Sequence, residues 1–167
     1  MDYESISVEN MAPACGGIIE HVDLSKDITN QQFDEIYHAL LERTVIIFRN
    51  QNLTERQHVK FSRRFGEIQP SAVSGFEKHN DYPEIDILEY DADNPPHVTS
   101  ELWHTDFVGR EKPSMGTTLY ARVIPPEGGD TIWVSGISAF QGLSDRMKAY
   151  VDGLWAYNDA YKVLISL

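Results

Sequence analysis

Cysteine is nearly absent from this sequence, since Cys15 is the only one in 167 residues. A single thiol excludes an internal disulfide and a metal site built from several cysteines. Long apolar runs are also missing: Val45–Phe48 is as long as any, and a membrane-spanning helix needs about 20 apolar residues. The amino-terminal stretch MDYESISVEN has neither the basic nor the apolar region of a signal peptide. These deficits predict a protein of the reducing cytoplasm.

Basic residues are scarce as well, with 14 Lys and Arg against 26 Asp and Glu and a net charge of −12. A surface this acidic argues against binding nucleic acid, whose phosphates need clustered basic side chains, and against docking on anionic membranes. Solubility alone is enough to explain the charge. Hydrophobic residues make up 41% and charged residues 24%, as in folded globular proteins. The length predicts a single domain over residues 1–167.

Strands alternate with helices in the first half of the chain. The stretch GGIIEHVDLS predicts a strand that runs into a turn, with Ile18 and Ile19 in the core. TNQQFDEIYHALLER predicts a helix that begins with a capping box of Thr29 and Gln32. The apolar residues at helical spacing in this helix are Phe33, Ile36, Leu40 and Leu41.

A buried strand and a second helix are predicted next. TVIIFRNQ is rich in β-branched residues, which favours a buried strand. LTERQHVKFSRRFGE predicts a helix with Thr54 as the N-cap and Gly66 as the stop signal.

The second half of the chain reads as a long loop followed by strands. From Gln69 to Asn94, Gly, Ser, Pro, Asn and Asp dominate, apart from a strand in EIDILEY. ELWHTDF, GTTLYARVI and GDTIWVS then predict three strands separated by turn signals. SGISAFQGLSDRMKAYVDGL predicts two short helical turns, the second capped by Ser144. Helices before a run of strands predict an α+β domain built round a β-sandwich or barrel.

His104 and Asp106 are unusual residues for an apolar strand. On a strand, residues two apart point to the same face, with Cα atoms about 7 Å apart, so both side chains can reach one ion. An imidazole nitrogen and a carboxylate oxygen suit a divalent ion of intermediate hardness. With a second histidine from another strand, the pair would form the facial triad of non-haem Fe(II), which leaves coordination positions open.

The His-x-Asp spacing occurs twice more in the chain, where we interpret it as surface structure. His21-Val22-Asp23 enters a Leu-Ser turn before a helix, where aspartate is a common capping residue. His79-Asn80-Asp81 lies in a polar stretch just before Pro83.

The context of the third His-x-Asp is more specific. The segment WHTDFVGREKPSMGTTLYARVIPPEGGDTIWVS resembles the taurine dioxygenase family of Fe(II)/2-oxoglutarate-dependent oxygenases, in which W-H-[ST]-D is followed by a strand and then G-G-[DN]-T. Here these motifs are Trp103–Asp106 and Gly128–Thr131. The stretches GGIIEHVDLS, LLERTVIIFRNQNLT and RRFGE also resemble the family, so that the likeness covers most of the chain.

The resemblance implies a fold, an activity and several roles. The fold would be a double-stranded β-helix (jelly-roll) core with N-terminal helices, incomplete at the C-terminus. The activity would be that of a dioxygenase that uses Fe(II), 2-oxoglutarate and O2 to hydroxylate a small organic substrate, with release of succinate and CO2. His104 and Asp106 would be two of the three iron ligands. Thr131 would hydrogen-bond the distal carboxylate of 2-oxoglutarate, unless it is only a β-branched strand residue. Trp103 is expected to pack.

The substrate positions carried over from the family are small or apolar in this chain. In the taurine-oxidising members, a histidine and a tyrosine after the Phe-Gly-Glu motif contact the sulfonate, and these positions match Ser71 and Ser74. An asparagine shortly before the metal motif matches Ser100, and Phe107, directly after the metal aspartate, would lie beside the substrate or in the core. These departures favour a substrate bulkier or more apolar than taurine.

Two residues that the family places far downstream have no counterpart here, namely the second histidine and an arginine that clamps 2-oxoglutarate. All six histidines lie at or before position 104, and the last arginine is Arg146. The apolar stretch KVLISL would also need a partner strand. The sequence therefore predicts a fragment or a truncated product, and we expect the 167 residues alone to lack turnover and to self-associate.

Three functions remain open on the sequence. The first is the dioxygenase, whose partners would be the small-molecule substrate, 2-oxoglutarate and O2, with a homo-oligomer left open. The second is a non-catalytic remnant of the same fold. The third is a sugar-binding β-sandwich with an incidental His-x-Asp, which the Gly-Gly-Asp-Thr stretch disfavours.

Overall fold

The structure is a computed structural model, and it describes residues 2–69, 77–91 and 103–158. The contacts between residues divide the chain into two compact units. The first unit comprises Met1–Arg64 and Tyr120–Leu154, and the second comprises Phe65–Leu119 and Trp155–Leu167. The single domain over residues 1–167 stays a prediction.

A three-stranded sheet lies in the first unit. Strand β1 (Ser7–Asn10) pairs antiparallel with β2 (Gly17–Glu20), and β2 pairs parallel with β3 (Ile46–Phe48). The predicted strand around Ile18 and Ile19 is thereby confirmed, although Ile19 is buried and Ile18 only half-buried. Strand β3 was predicted to be buried, but it is half-buried because it lies at the edge of the sheet.

Helix α1 (Asn30–Arg43) provides the crossover between the parallel strands β2 and β3, and it begins as predicted. The Thr29 hydroxyl accepts the Gln32 backbone N–H at 3.1 Å, and the Gln32 side chain accepts the Thr29 N–H at 3.0 Å. Ile36 is fully buried on the core face of the helix. Leu41 was predicted on that face but is exposed, because five residues at about 100° each place it about 140° away from Ile36.

A buried carboxylate on α1 was not predicted. Glu35 is 3% exposed, and its Oε2 accepts the backbone N–H groups of Ser5 at 3.0 Å and Ile6 at 3.2 Å. Burial acts to raise the pKa of Glu35, but the hydrogen bonds from Ser5 and its neighbours outweigh burial, so that the pKa is lowered. Glu35 thus attaches the amino-terminal segment to the helix.

Helix α2 (Glu55–Ser62) carries the second predicted capping residue. The Thr54 hydroxyl accepts the Gln57 backbone N–H, and a 3₁₀ turn over Arg63–Phe65 follows the helix. Gly66, with a φ of 145°, comes directly after this turn, which agrees with its prediction as a stop signal.

The remaining regular elements are short. In the second unit, β4 (Glu77–Lys78) pairs antiparallel with β5 (Asp86–Ile87), which is the strand predicted in EIDILEY. In the first unit, α3 (Gly136–Gln141) and α4 (Asp145–Asp152) are the two predicted helical turns. The Ser144 hydroxyl caps α4 by accepting the Met147 N–H at 3.3 Å, as predicted.

The three strands predicted in the second half are not formed over residues 103–135. A strand exists only through hydrogen bonds to a neighbour, and within the described ranges no strand pairs with these segments. Their apolar side chains are accordingly open to solvent, for example Val123 at 88% and Ile132 at 71%. The apolar stretch KVLISL lies outside the described residues.

No helix of the described part of the chain is both long and apolar enough to cross a membrane. The cytoplasmic location stays a prediction.

Candidate metal centre

His104 and Asp106 lie side by side in the second unit. His104 Nε2 is 3.3 Å from Asp106 Oδ1, and the two side chains are 57% and 51% exposed. Two ligands at right angles on one divalent ion, each about 2.1 Å from it, are about 3 Å apart. The distance between the two atoms is therefore close to that of two neighbouring ligands on one metal ion, and it is also that of a direct ion pair; both side chains are exposed.

The two residues do not lie on the predicted strand: His104 belongs to a segment without regular structure, and Asp106 begins a turn. Residues 106–109 form the turn, and it is closed by the Arg110 N–H, which donates to the Phe107 carbonyl at 3.0 Å. Phe107 has a φ of 53°, which is unusual for a bulky residue. The predicted proximity of His104 and Asp106 is thus present on irregular backbone and not on a strand, and their convergence on one metal ion stays a prediction.

The second oxygen of Asp106 has a partner that the sequence did not identify. Thr117 Oγ1 donates to Asp106 Oδ2 at 2.9 Å. Threonine eleven residues after an aspartate is no recognisable motif, so that only the folded geometry could find it.

The third ligand of a facial triad is not present in the described ranges. No group of three or more His, Cys, Asp or Glu side chains in residues 2–69, 77–91 and 103–158 could hold a metal ion. The donor set described here is one imidazole and one carboxylate, which fits two of the three ligands of such a triad.

The two other His-x-Asp stretches are built into local turns, as interpreted from the sequence. Asp23 Oδ1 accepts the Ser25 hydroxyl at 2.5 Å and the Ser25 N–H at 3.0 Å, and Lys26 lies 3.0 Å from Oδ2. These contacts, with the Ser25 hydroxyl the largest, lower the pKa of Asp23 to about 2. His79 Nδ1 accepts the Asp81 N–H at 3.3 Å within its own turn.

The residue predicted to bind 2-oxoglutarate follows a glycine turn. Gly128 and Gly129 have φ values of 77° and 71°, a conformation that L side chains rarely adopt. The predicted Gly-Gly turn is thereby confirmed. Thr131 follows it after Asp130, is exposed and belongs to the first unit.

The predicted substrate residues are described only in part. Ser71, Ser74 and Ser100 lie outside the described residues. Phe107 is half-buried, and the Arg110 guanidinium lies over its ring, 4.3 Å from the centroid. Trp103, which was expected to pack, is 70% exposed.

Comparison with known proteins places these motifs in one family. The family model described as "Taurine catabolism dioxygenase TauD, TfdA family" matches residues 7–165. The chain is 30% identical over 154 residues to the alpha-ketoglutarate-dependent sulfate ester dioxygenase of Pseudomonas putida, covering 90% of this chain and 48% of that protein. It is 26% identical over 169 residues to the alpha-ketoglutarate-dependent 2,4-dichlorophenoxyacetate dioxygenase of Cupriavidus pinatubonensis, covering 91% and 58%.

Solved structures of similar fold include dioxygenases of the same kind. A taurine dioxygenase from Burkholderia xenovorans has a TM-score of 0.68 and 35% identity, covering 90% of this chain and 52% of that one. AAD-2 in complex with Mn(II) and N-oxalylglycine has a TM-score of 0.64 at 23% identity, covering 95% and 60%, which shows a likeness of fold alone. The chain spans about half the length of the curated relatives it matches. On this match over most of its length, the chain belongs to the taurine catabolism dioxygenase TauD, TfdA family.

Proposed function

We propose that this protein is an Fe(II)/2-oxoglutarate-dependent dioxygenase that hydroxylates a small organic substrate and releases succinate and CO2. The observation that carries the proposal is the His104–Asp106 pair, whose donor atoms lie 3.3 Å apart within the family's Trp-His-Thr-Asp motif. Each of the two named curated relatives is called alpha-ketoglutarate-dependent, which is the same requirement for 2-oxoglutarate.

In this proposal His104 Nε2 and Asp106 Oδ1 hold the iron from one side. Iron, when bound, supplies the activation of O2 and the oxidation of an unactivated C–H bond. The protein's part is to fix the ion through these two side chains, to orient both organic molecules and to keep the remaining coordination positions open.

Thr131 is proposed to hold the distal carboxylate of 2-oxoglutarate. It follows the Gly128–Gly129 turn, and it is exposed and therefore accessible to a ligand. A hydroxyl that donates to a carboxylate forms a charge-assisted hydrogen bond, which is stronger than one between neutral groups.

The proposed substrate contacts are Phe107, Ser71, Ser74 and Ser100. Phe107 directly follows the metal ligand Asp106 and presents an aromatic ring already covered on one face by Arg110. A ring beside the iron site favours a substrate with an apolar part larger than that of taurine.

A jelly-roll core is the proposed architecture for the second half of the chain. The described segments at 116–124 and 130–135 carry closely spaced apolar residues whose side chains are exposed, such as Leu119 and Val134. Such segments suit strands of a double-stranded β-helix, in which further strands would cover these side chains.

The proposal is tested by measuring succinate formation from 2-oxoglutarate with the complete enzyme, Fe(II) and a panel of sulfonates, sulfate esters and aryloxy acids, because the 167 residues alone are expected to lack turnover. We expect turnover that His104→Ala abolishes, because the ion then loses its imidazole ligand. His79→Ala is the matched control, since it removes a histidine from another His-x-Asp stretch, and it should leave turnover unchanged. Near wild-type turnover in His104→Ala would contradict the proposal, and no turnover in the complete wild-type enzyme would favour a non-catalytic remnant.

A further inference from the structure

The Asp106 carboxylate presents its two oxygens to different neighbours. Oδ1 lies 3.3 Å from His104 Nε2, whereas Oδ2 accepts the Thr117 hydroxyl at 2.9 Å. One oxygen therefore contacts His104, and the other is occupied by the hydrogen bond from Thr117.

We propose that Thr117 is a positioning residue that keeps Asp106 a monodentate metal ligand. A carboxylate can bind a cation through one oxygen or through both. Through both, Asp106 would occupy a coordination position that a facial triad leaves free for cosubstrate and oxygen. The Thr117 hydroxyl holds Oδ2 and so leaves Oδ1 alone to bind the ion. This inference rests on the proposed function, because it assigns Thr117 to the same metal site.

The segment that carries Thr117 is tied to the turn that carries Asp106. Gln69 Oε1 accepts Arg110 Nη1 at 2.9 Å and the Ser114 hydroxyl at 3.3 Å. Gln69 thus links two residues of the segment between Asp106 and Thr117, namely Arg110 near Asp106 and Ser114 near Thr117. Three side-chain hydrogen bonds therefore hold residues 106–117, one from Thr117 to Asp106 and one each from Arg110 and Ser114 to Gln69. Together they restrict the positions that Thr117 can occupy.

Because the site is exposed, the orientation of the Asp106 carboxylate depends on its hydrogen bond to Thr117. Asp106 is half exposed, so without Thr117 its Oδ2 loses this partner to water and, within the described residues, only the contact with His104 orients the carboxylate. Loss of a hydrogen bond to a metal-ligating side chain typically weakens metal affinity by about 10–100-fold. Because water can replace part of the lost bond here, we expect an effect of about tenfold.

The test compares Mn(II) binding by the wild type, Thr117→Val, Thr117→Ser and Ser114→Ala. Mn(II) is a redox-quiet stand-in for Fe(II), and its free concentration is read from the electron paramagnetic resonance signal during titration. We expect Thr117→Val to raise the Kd for Mn(II) about tenfold, while Thr117→Ser restores the wild-type value. Ser114→Ala removes a hydroxyl from the same segment that binds Gln69 and not Asp106, so its Kd should rise much less than that of Thr117→Val.

A second measurement separates positioning from a general loss of structure. Water-proton relaxation by the bound Mn(II) reports how many water molecules the ion carries. If Thr117→Val lets Asp106 bind through both oxygens, its Mn(II) should carry fewer waters than that of the wild type and of Thr117→Ser. An unchanged Kd and an unchanged water count in Thr117→Val would overturn the role of Thr117 alone. A wild-type protein whose Mn(II) affinity is the same as that of His104→Ala would overturn the metal site itself, and the inference with it.

Discussion

At the scale of single residues, the carboxylates of Asp106 and Asp23 have different partners although both follow a histidine at the same spacing. Asp106 uses one oxygen toward His104 and the other toward Thr117, and Asp23 uses its oxygens to close a turn with Ser25 and Lys26. The same His-x-Asp spacing therefore serves a candidate metal site in one place and a turn in another. The neighbouring side chains, and not the spacing, decide which of the two applies.

The role proposed for Thr131 predicts a change in cosubstrate binding. Thr131→Val keeps the shape of the side chain but removes the hydroxyl that would donate to 2-oxoglutarate. A hydrogen bond to a charged group contributes about 1.5–3 kcal/mol, so the KM for 2-oxoglutarate should rise by roughly ten- to a hundredfold. Steady-state kinetics of the complete enzyme at varied 2-oxoglutarate measure this directly, and an unchanged KM would reduce Thr131 to a structural residue.

The lowered pKa of Asp23 predicts a defined pH dependence. Because the Ser25 hydroxyl and then Lys26 favour the charged form, the pKa lies near 2 in the folded chain, below the ordinary value of about 3.9. The stabilisation by this carboxylate is present above about pH 4 and is lost as the pH falls towards 2. In Ser25→Ala the pKa of Asp23, followed by carboxyl NMR, should rise towards its ordinary value. A pKa that stays near 2 in Ser25→Ala would show that the serine is not the main cause.

At the scale of elements, one tyrosine ties a segment of the second half to the connection between β3 and α2. The Tyr120 hydroxyl accepts the Leu53 N–H at 3.1 Å and donates to the Gln51 carbonyl at 3.2 Å. Arg122 adds an ion pair of 2.6 Å to Glu55 in the first turn of α2. This anchor holds part of the segment in place although the segment forms no strand in the described structure.

Removal of the Tyr120 hydroxyl should therefore weaken the fold of the first unit. Tyr120→Phe leaves the half-buried Leu53 N–H and Gln51 carbonyl without this partner, and we expect the free energy of unfolding to fall by about 1–2 kcal/mol. Urea denaturation measures the change. Tyr150→Phe removes a hydroxyl from a side chain that is 66% exposed and should leave the stability unchanged. Equal stability of both variants would contradict the anchoring role of Tyr120.

Local signals allowed the helices to be predicted from the sequence. The three strands predicted in the second half, in contrast, are not formed over residues 103–135. Thr29 with Gln32 and Thr54 with Gln57 carry their capping boxes within four residues, and the structure forms both. The pairing of a strand depends on distant neighbours, so that the alternation in GTTLYARVI could not decide whether a partner is present. The buried Glu35 was missed for the same reason, since its partners Ser5 and Ile6 lie about 30 residues away.

At the scale of the whole molecule, the sequence motifs predicted the family but not the detailed geometry of the candidate metal site. Trp103–Asp106 and Gly128–Thr131 indicated the family, and the match over residues 7–165 confirmed it. The Thr117 hydrogen bond and the positive φ of Phe107 were not predictable, because they depend on how the turn after Asp106 folds. Sequence motifs thus identified the candidate metal ligands, and the structure was needed to find the side chain that orients one of them.

The central claim is that His104 and Asp106 bind one divalent metal ion, and a crystal structure of the protein with Mn(II) tests it most directly. The position of the metal is read from the anomalous scattering of manganese. We predict one anomalous peak about 2.1–2.3 Å from both His104 Nε2 and Asp106 Oδ1, with Asp106 Oδ2 still bonded to Thr117. A manganese peak bound elsewhere, with neither His104 nor Asp106 as a ligand, would contradict the account.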